Sequence, residues 1–315
     1  MSQLQATSIT GSLVLGNTPN TSEVGYIWFN SSTNKIEYSY GEAITPAVWS
    51  TGGNLITGRN YVGGVGTQTA ALMFGGTGPG VCYSNTEEYD GSSWSEGGVL
   101  SARGFTLKGA GTQNSAIAFG GTFLSGTEEY NGSAWSSGGT LITPLLNRSG
   151  TGTQNAALSM GGGTDATSPT EEYNGLTWSS GGTLITGRYS AAGAGTQNAA
   201  VVFGGYPSSS WKTTAEYNGT TWVSSNDMPN PTYEHSGAGT QNAALSAGGN
   251  GNYQSATYEY DGTSWSTGIN ANLNRFRHAG AGNTSTALSF GGQTPSGTNT
   301  TEEYSSICVV TCTIG

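Results

Sequence analysis

The chain has 315 residues, of which only 28 are charged (9 Lys and Arg, 19 Asp and Glu), and a formal net charge of −10. That balance excludes an electrostatic grip on nucleic-acid phosphates or anionic membranes, both of which need clustered cations, and no run of about 18 apolar residues offers a membrane span. The 53 glycines alone would suit a low-complexity tract, but 8 Trp, 16 Tyr and 8 Phe are present and recur at intervals, so the glycines read as punctuation between many short strands.

The N-terminus, MSQLQATSITG, has neither the basic nor the apolar segment of a secretory signal, which predicts assembly in a cytoplasm. Residues 1–41 are rich in Gly, Ser and Thr and contain the strand-like runs YIWFN and KIEYSY. They are expected to form a separate attachment or oligomerisation segment. Residues 42–315 are expected to form one β domain, with a closing strand at 42–49 and a C-terminal tail at 305–315.

From residue 50 onward an internal repeat dominates. Its clearest mark is a Gly pair: Gly75-Gly76, Gly120-Gly121, Gly161-Gly162, Gly204-Gly205, Gly248-Gly249 and Gly291-Gly292, spaced 45, 41, 43, 44 and 43 residues apart. After each pair comes an acidic-Tyr step, at Tyr89, Tyr130, Tyr173, Tyr217, Tyr260 and Tyr304, and in five copies a Trp follows at Trp94, Trp135, Trp178, Trp222 and Trp265. Each unit holds four short extended segments; in the fourth these are RYSAAGAG, AAVVFGG, TAEYNG and TTWVSS. The Asn-Gly and Asp-Gly steps mark tight hairpins, because both positions of such turns need positive φ.

A four-stranded sheet of this length cannot bury both faces alone, and the closed solution for such units is a β-propeller. An apolar run ending in Gly-Gly, then Glu-Tyr, then Trp resembles the kelch repeat, and the resemblance covers residues 50–304. The first strands depart from it in being almost all Gly and Ala, which suits a narrow axis and few blades. The sixth unit lacks its Trp, and EYSYGEAITPAVW (37–49) resembles the end of a unit. Trp49 is therefore expected to supply the missing fourth strand beside Tyr304, giving an all-β, kelch-like propeller of six four-stranded blades closed by an N-terminal strand. The alternative is seven blades, with YIWFN, KIEYSY and the strand ending at Trp49 building part of the seventh and the Cys308 to Ile314 tail completing the sixth.

On one face the turns (GTQN, YNG, YDG) barely vary and read as structural. On the other, the loops after the Gly pairs differ from copy to copy, which is where recognition residues gather. These loops carry Tyr83, Phe123, Tyr206, Trp211, Lys212 and Tyr253. Trp211 is off the repeat register: it either anchors a partner or glycan or folds back over its own blade. The repeated Glu residues are expected to build blades, since catalysis needs one asymmetric constellation. Arg59, Arg188 and Arg275, with Arg103 and Arg148 near that register, are expected to pair with Glu of neighbouring blades. His235 and His278 occupy equivalent positions in adjacent blades; no cluster of further ligands joins them, so ordinary strand residues are favoured over a metal pair. Cys308 and Cys312, about 13 Å apart if in one straight strand, are expected to be free thiols with Cys82.

Kelch-like oxidases use a Tyr, His and crosslinked-Cys copper site, and six-bladed sialidases an arginine triad with Asp boxes. Neither is recognisable here, so no enzyme activity, cofactor or metal is expected. ATSITGSLVLGN with EVGYIWFNSSTNKIEYSYG resembles segments of phage tail and fibre proteins. The resemblance implies a structural and adhesive virion protein, a tail fibre or capsid-attached fibre. Its partners would be other virion proteins and a host-surface glycan or protein, without nucleic acid or membrane insertion, and the N-terminal segment would be the route to a homo-oligomer. The alternatives are a kelch-type protein-interaction adaptor and, more weakly, a carbohydrate-active or oxidative propeller enzyme.

Overall fold

The computed structural model describes residues 26–30, 35–39, 43–102, 104–122, 125–163, 168–207, 211–250, 255–295, 297–306 and 308–310. The chain divides into two compact units, Val48–Ser306 and a second made of Met1–Ala47 with Ile307–Gly315.

The first unit is a six-bladed propeller of four-stranded antiparallel sheets. The inner strands are Gly63–Thr67 (blade 1), Lys108–Thr112 (blade 2), Ser149–Thr153 (blade 3), Ala192–Thr196 (blade 4), Ser236–Thr240 (blade 5) and Ala279–Gly282 (blade 6). Each packs against the inner strands on either side, and the ring closes between blades 6 and 1. The outermost strand of blade 6 is Val48–Thr51, in register Tyr304↔Trp49. The missing Trp of the sixth repeat is thus supplied from the other end of the chain, and the seven-blade alternative fails: the N-terminal runs add no blade and the tail does not complete the sixth.

The repeated residues are explained by what lies between blades. Each Trp indole N–H donates to a Thr hydroxyl of the preceding blade: Trp94 to Thr301, Trp135 to Thr86, Trp178 to Thr127, Trp222 to Thr170, Trp265 to Thr214 and Trp49 to Thr257, all at 2.9–3.0 Å. Each Tyr hydroxyl of the acidic-Tyr step donates backward too, to the second Glu of the preceding blade, from Tyr89 on Glu303 round to Tyr304 on Glu259. The Gln of GTQN adds a third clamp at five interfaces, its amide reaching two carbonyls of the preceding blade, as Gln113 does to Ala71 (3.1 Å) and Tyr89 (2.6 Å). Blade 6 has Thr284 at the Gln position. Aromatic rings fill the layer between, with Phe74, Phe119, Phe203 and Phe290 each 4.8–5.3 Å from the Trp of the following blade.

Gly and Ala dominate the inner strands because backbones crowd at the axis. A Cβ on Gly64 would lie 2.5 Å from the Phe290 ring and 2.7 Å from the Ala279 methyl. The Gly pairs have a different cause: both members take positive φ, 65° and 96° at Gly75 and Gly76, where side chains are disfavoured.

In the other unit, Tyr26–Asn30 pairs with Lys35–Ser39 as an antiparallel hairpin, and Ala43–Thr45 pairs with Cys308–Val310. Cys82 is a free thiol. Cys312 and the side chain of Cys308 lie outside the described residues, so their expected redox state is not addressed.

Candidate functional site

The variable-loop face receives two sets of segments: the loops after the Gly pairs, and the segments that carry the chain from one blade's outer strand into the next blade's inner strand. Of the loop residues singled out in the sequence, the structure brings Tyr206, Trp211 and Lys212 together in blade 4. Phe123 and Tyr253 lie outside the described residues. Tyr83 is in blade 1, its ring 5.1 Å from the Arg59 guanidinium, and takes no part in the blade 4 group.

Tyr206 forms a two-way backbone bridge with Tyr189 (N to O 2.8 and 3.0 Å), which sets their rings 5.1 Å apart. Trp211 stacks on Tyr233 of the segment leading into blade 5, centroids 5.8 Å apart and planes 22° from parallel. Tyr206 closes the group, 6.0 Å from Trp211 and 5.7 Å from Tyr233. Trp211 thus bridges two blades, and its carbonyl accepts from Thr232 N at 2.9 Å. Its indole N–H is buried without a partner among the described residues, while Tyr206 is 37 % exposed and Lys212 lies on the surface. Tyr189 and Tyr233 escaped the sequence reading because they sit in segments read as the starts of inner strands. Their equivalent positions, immediately after Arg188 and Thr232, were the available signal.

The arginines correct an expectation. Arg59 pairs with Glu87, Arg148 with Glu171 and Arg275 with Glu302, all buried, and each partner belongs to the same blade, not a neighbour. The incoming segment crosses from the previous blade and is tied down on arrival: Glu87 also accepts from Ile56 N at 2.7 Å, and Glu171 from Ile142 N at 2.8 Å. Blade 4 has Ala215 at the Glu position. Arg188 there donates to the carbonyls of Gly204 and Thr213 and to the Thr213 hydroxyl. Burial pushes its pKa down to about 10 against the opposing attraction of Asp227. Arg103 lies outside the described residues.

The six incoming segments meet around the propeller axis. At one equivalent position in each, Tyr61, Thr106, Asn147, Ser190, Glu234 and Arg277 take φ of 53–60°. This is the left-handed region that non-glycine residues rarely visit, in a chain otherwise generous with glycine. Backbone bonds running from one segment to the next impose it: Thr106 N to Tyr61 O, Ser190 N to Asn147 O, Glu234 N to Ser190 O, Arg277 N to Glu234 O and Tyr61 N to Arg277 O, at 2.8–3.0 Å.

The result is an asymmetric polar mouth. Arg277 Nε lies 3.1 Å from both Glu234 oxygens, its guanidinium sits 4.3 Å from the Tyr61 ring centroid, and one of its terminal nitrogens donates to Gln293 Oε1 at 2.9 Å. Burial, with Glu234 adding, pushes the Tyr61 hydroxyl up to about 12. Below, a cavity of about 30 Å³ leads to another of about 60 Å³ between the inner strands. His235 Nδ1 lies 2.7 Å from Ser246 Oγ, and His278 Nε2 lies 3.0 Å from Ser236 Oγ. Burial holds His235 down to about 3 and His278 well below the usual imidazole range. Among the described residues no group of three or more His, Cys, Asp and Glu is placed to hold a metal.

No protein-family profile matches the chain, and no curated protein matches it. Among solved structures it is similar to one described as the structure of YjhT, with 12 % identity, a TM-score of 0.64, and coverage of 82 % of this chain and 96 % of that one. At that identity the likeness speaks to the fold alone.

Proposed function

We propose that this chain is a non-enzymatic, kelch-type recognition propeller, an adhesive and structural component of a bacteriophage particle. It would engage a host-surface glycan or protein, or a neighbouring virion protein, through the variable-loop face. The observation that carries the reading is the Tyr189, Tyr206, Trp211, Tyr233 cluster: four aromatic rings gathered across two blades, with Trp211 outside the repeat register and Tyr206 37 % exposed. Rings with an apolar face and a polar edge are the usual anchors of sugar and protein recognition. The N-terminal resemblance to phage fibre segments and the sparse charge support the particle context.

The test has two parts. Mass spectrometry of purified virions is expected to find the chain, and its absence from them would leave an interaction adaptor. Adsorption of the labelled propeller to host cells should fall about 30-fold in Trp211→Ala, the loss of a hot spot of about 2 kcal/mol. Unchanged adsorption would remove the aromatic cluster from the binding surface.

A further inference from the structure

Lys108 opens the inner strand of blade 2, where the other five blades carry Gly63, Ser149, Ala192, Ser236 and Ala279. One long cation thus stands in a ring of positions otherwise limited to a hydrogen, a methyl or a hydroxymethyl group. It lines both the mouth cavity and the cavity below it. Its charge is felt by Glu234, His235 and His278 on the far side of the axis.

No side-chain hydrogen bond, and no ion pair within 4.0 Å, joins Lys108 to any described residue. The carboxylate that should answer it is already engaged: Glu234 accepts from Arg277, from Asn250 Nδ2 at 3.2 Å and from the Tyr61 hydroxyl at 3.4 Å. The two histidines facing the channel are kept neutral by burial, and Arg275 next to His278 is neutralised by Glu302. Lys108, Glu234 and Arg277 therefore leave the mouth with one positive charge unbalanced. Burial lowers the amino group's pKa while Glu234 raises it. Lys108 is part-buried, but a cation lining a narrow channel without a counter-charge loses part of its hydration, and the break in the local pattern at this position points to a compensating partner.

We propose that the axial channel is a binding site for a small monovalent anion of the size of chloride or formate, held by Lys108. Its size follows from the cavities, about 30 and 60 Å³. Since one water needs roughly 10–15 Å³, these two admit an ion with a few waters, and a third cavity of about 140 Å³ continues between the inner strands. Thr106 supplies a second donor: its hydroxyl is buried, lines the mouth cavity and has no partner among the described residues. The site differs from the aromatic cluster in place and in ligand, so either can fail without the other.

The test uses bromide. Crystals of the full chain grown in sodium bromide should show an anomalous peak on the axis, within hydrogen-bonding distance of Lys108 Nζ, that vanishes in Lys108→Ala. In solution, the wild-type thermal midpoint should rise saturably with bromide, and Lys108→Met should lose that saturable part. No axial peak in the wild type, a peak that persists in Lys108→Ala, or the same bromide response in Lys108→Met would each overturn the proposal. The wild-type crystal needs no variant to fold, and the other blades show that small residues fit at this position.

Discussion

The two buried histidines make the propeller's stability depend on pH in a way that can be isolated. His235 and His278 are each 3 % exposed. Burial depresses their folded pKa values below the unfolded 6.5, to about 3 for His235, with Lys108 adding to the effect at both residues and Arg275 at His278. With the folded value depressed, the unfolded chain binds the extra protons. The histidine contribution is therefore fully present above pH 6.5 and is lost as pH falls from there toward the folded value. At pH 5 the unfolded form of each imidazole is favoured by about 1.5 pKa units, or about 2 kcal/mol, and the pair by about 4 kcal/mol. At roughly 2 °C per kcal/mol for a domain of this size, that is a fall of about 8 °C in thermal midpoint between pH 7.5 and pH 5. Carboxylates titrate over the same range, so the comparison is with the double variant His235→Val, His278→Val, a choice that follows Val62 at the equivalent position of blade 1. Calorimetry of both proteins at the two pH values should show the wild type losing about 4 kcal/mol more than the variant. Equal losses would refute the idea that these imidazoles stay neutral in the fold.

The axial ring makes a second, opposite-signed prediction: Thr106→Gly should stabilise the protein by about 1 kcal/mol in halide-free buffer, because it relieves a left-handed β-branched residue and removes a buried hydroxyl without a partner. Asn147→Gly should be near neutral, since Asn tolerates that conformation, and urea midpoints for the two variants check both. Closure is tested at Trp49, 4 % exposed and bonded to Thr257 Oγ1 and the Ile269 carbonyl. Trp49→Ala should cost about 3–5 kcal/mol, while Val48→Ala, beside it but 47 % exposed, should cost less than about 0.5 kcal/mol; a small loss at Trp49 would mean that the ring does not depend on this strand.

The scaffold was legible because its parts are repeated. Six Gly pairs, six Tyr and five Trp at nearly regular intervals carry the blade, and the one missing Trp identified the closing strand, which pairs Tyr304 with Trp49. Repetition could not reveal direction. A Glu-Glu step places two carboxylates next to each other, and only the pleat shows that the first turns to its own blade's arginine while the second accepts from the next blade's Tyr, as Glu87 and Glu88 do. The axial mouth was illegible for the converse reason. Tyr61, Thr106, Asn147, Ser190, Glu234 and Arg277 share a conformation and no chemistry, and none is the glycine that usually signals it. Lys108 is a break in a pattern of Gly, Ala and Ser that becomes visible only once the six inner strands are aligned by their place around the axis.

Two departures from the repeat are adjacent. Blade 4 replaces the first Glu with Ala215, leaving Arg188 to carbonyls and a hydroxyl, and blade 5 has Tyr258 at that position and Thr232 where an arginine would stand. In blades 1, 3 and 6 the buried ion pair pins the incoming segment to its blade. Between blades 4 and 5 that pin is absent; there Asn230 Nδ2 donates to the Tyr258 hydroxyl at 2.9 Å, the Trp211 carbonyl accepts from Thr232 N, and the Trp211 ring stacks on Tyr233. The ring of Trp–Thr and Tyr–Glu bonds is complete at every interface, so the scaffold tolerates the loss of the ion pair in both blades of this sector. The Trp211–Tyr233 stack thus ties the proposed binding face to the segment that enters blade 5.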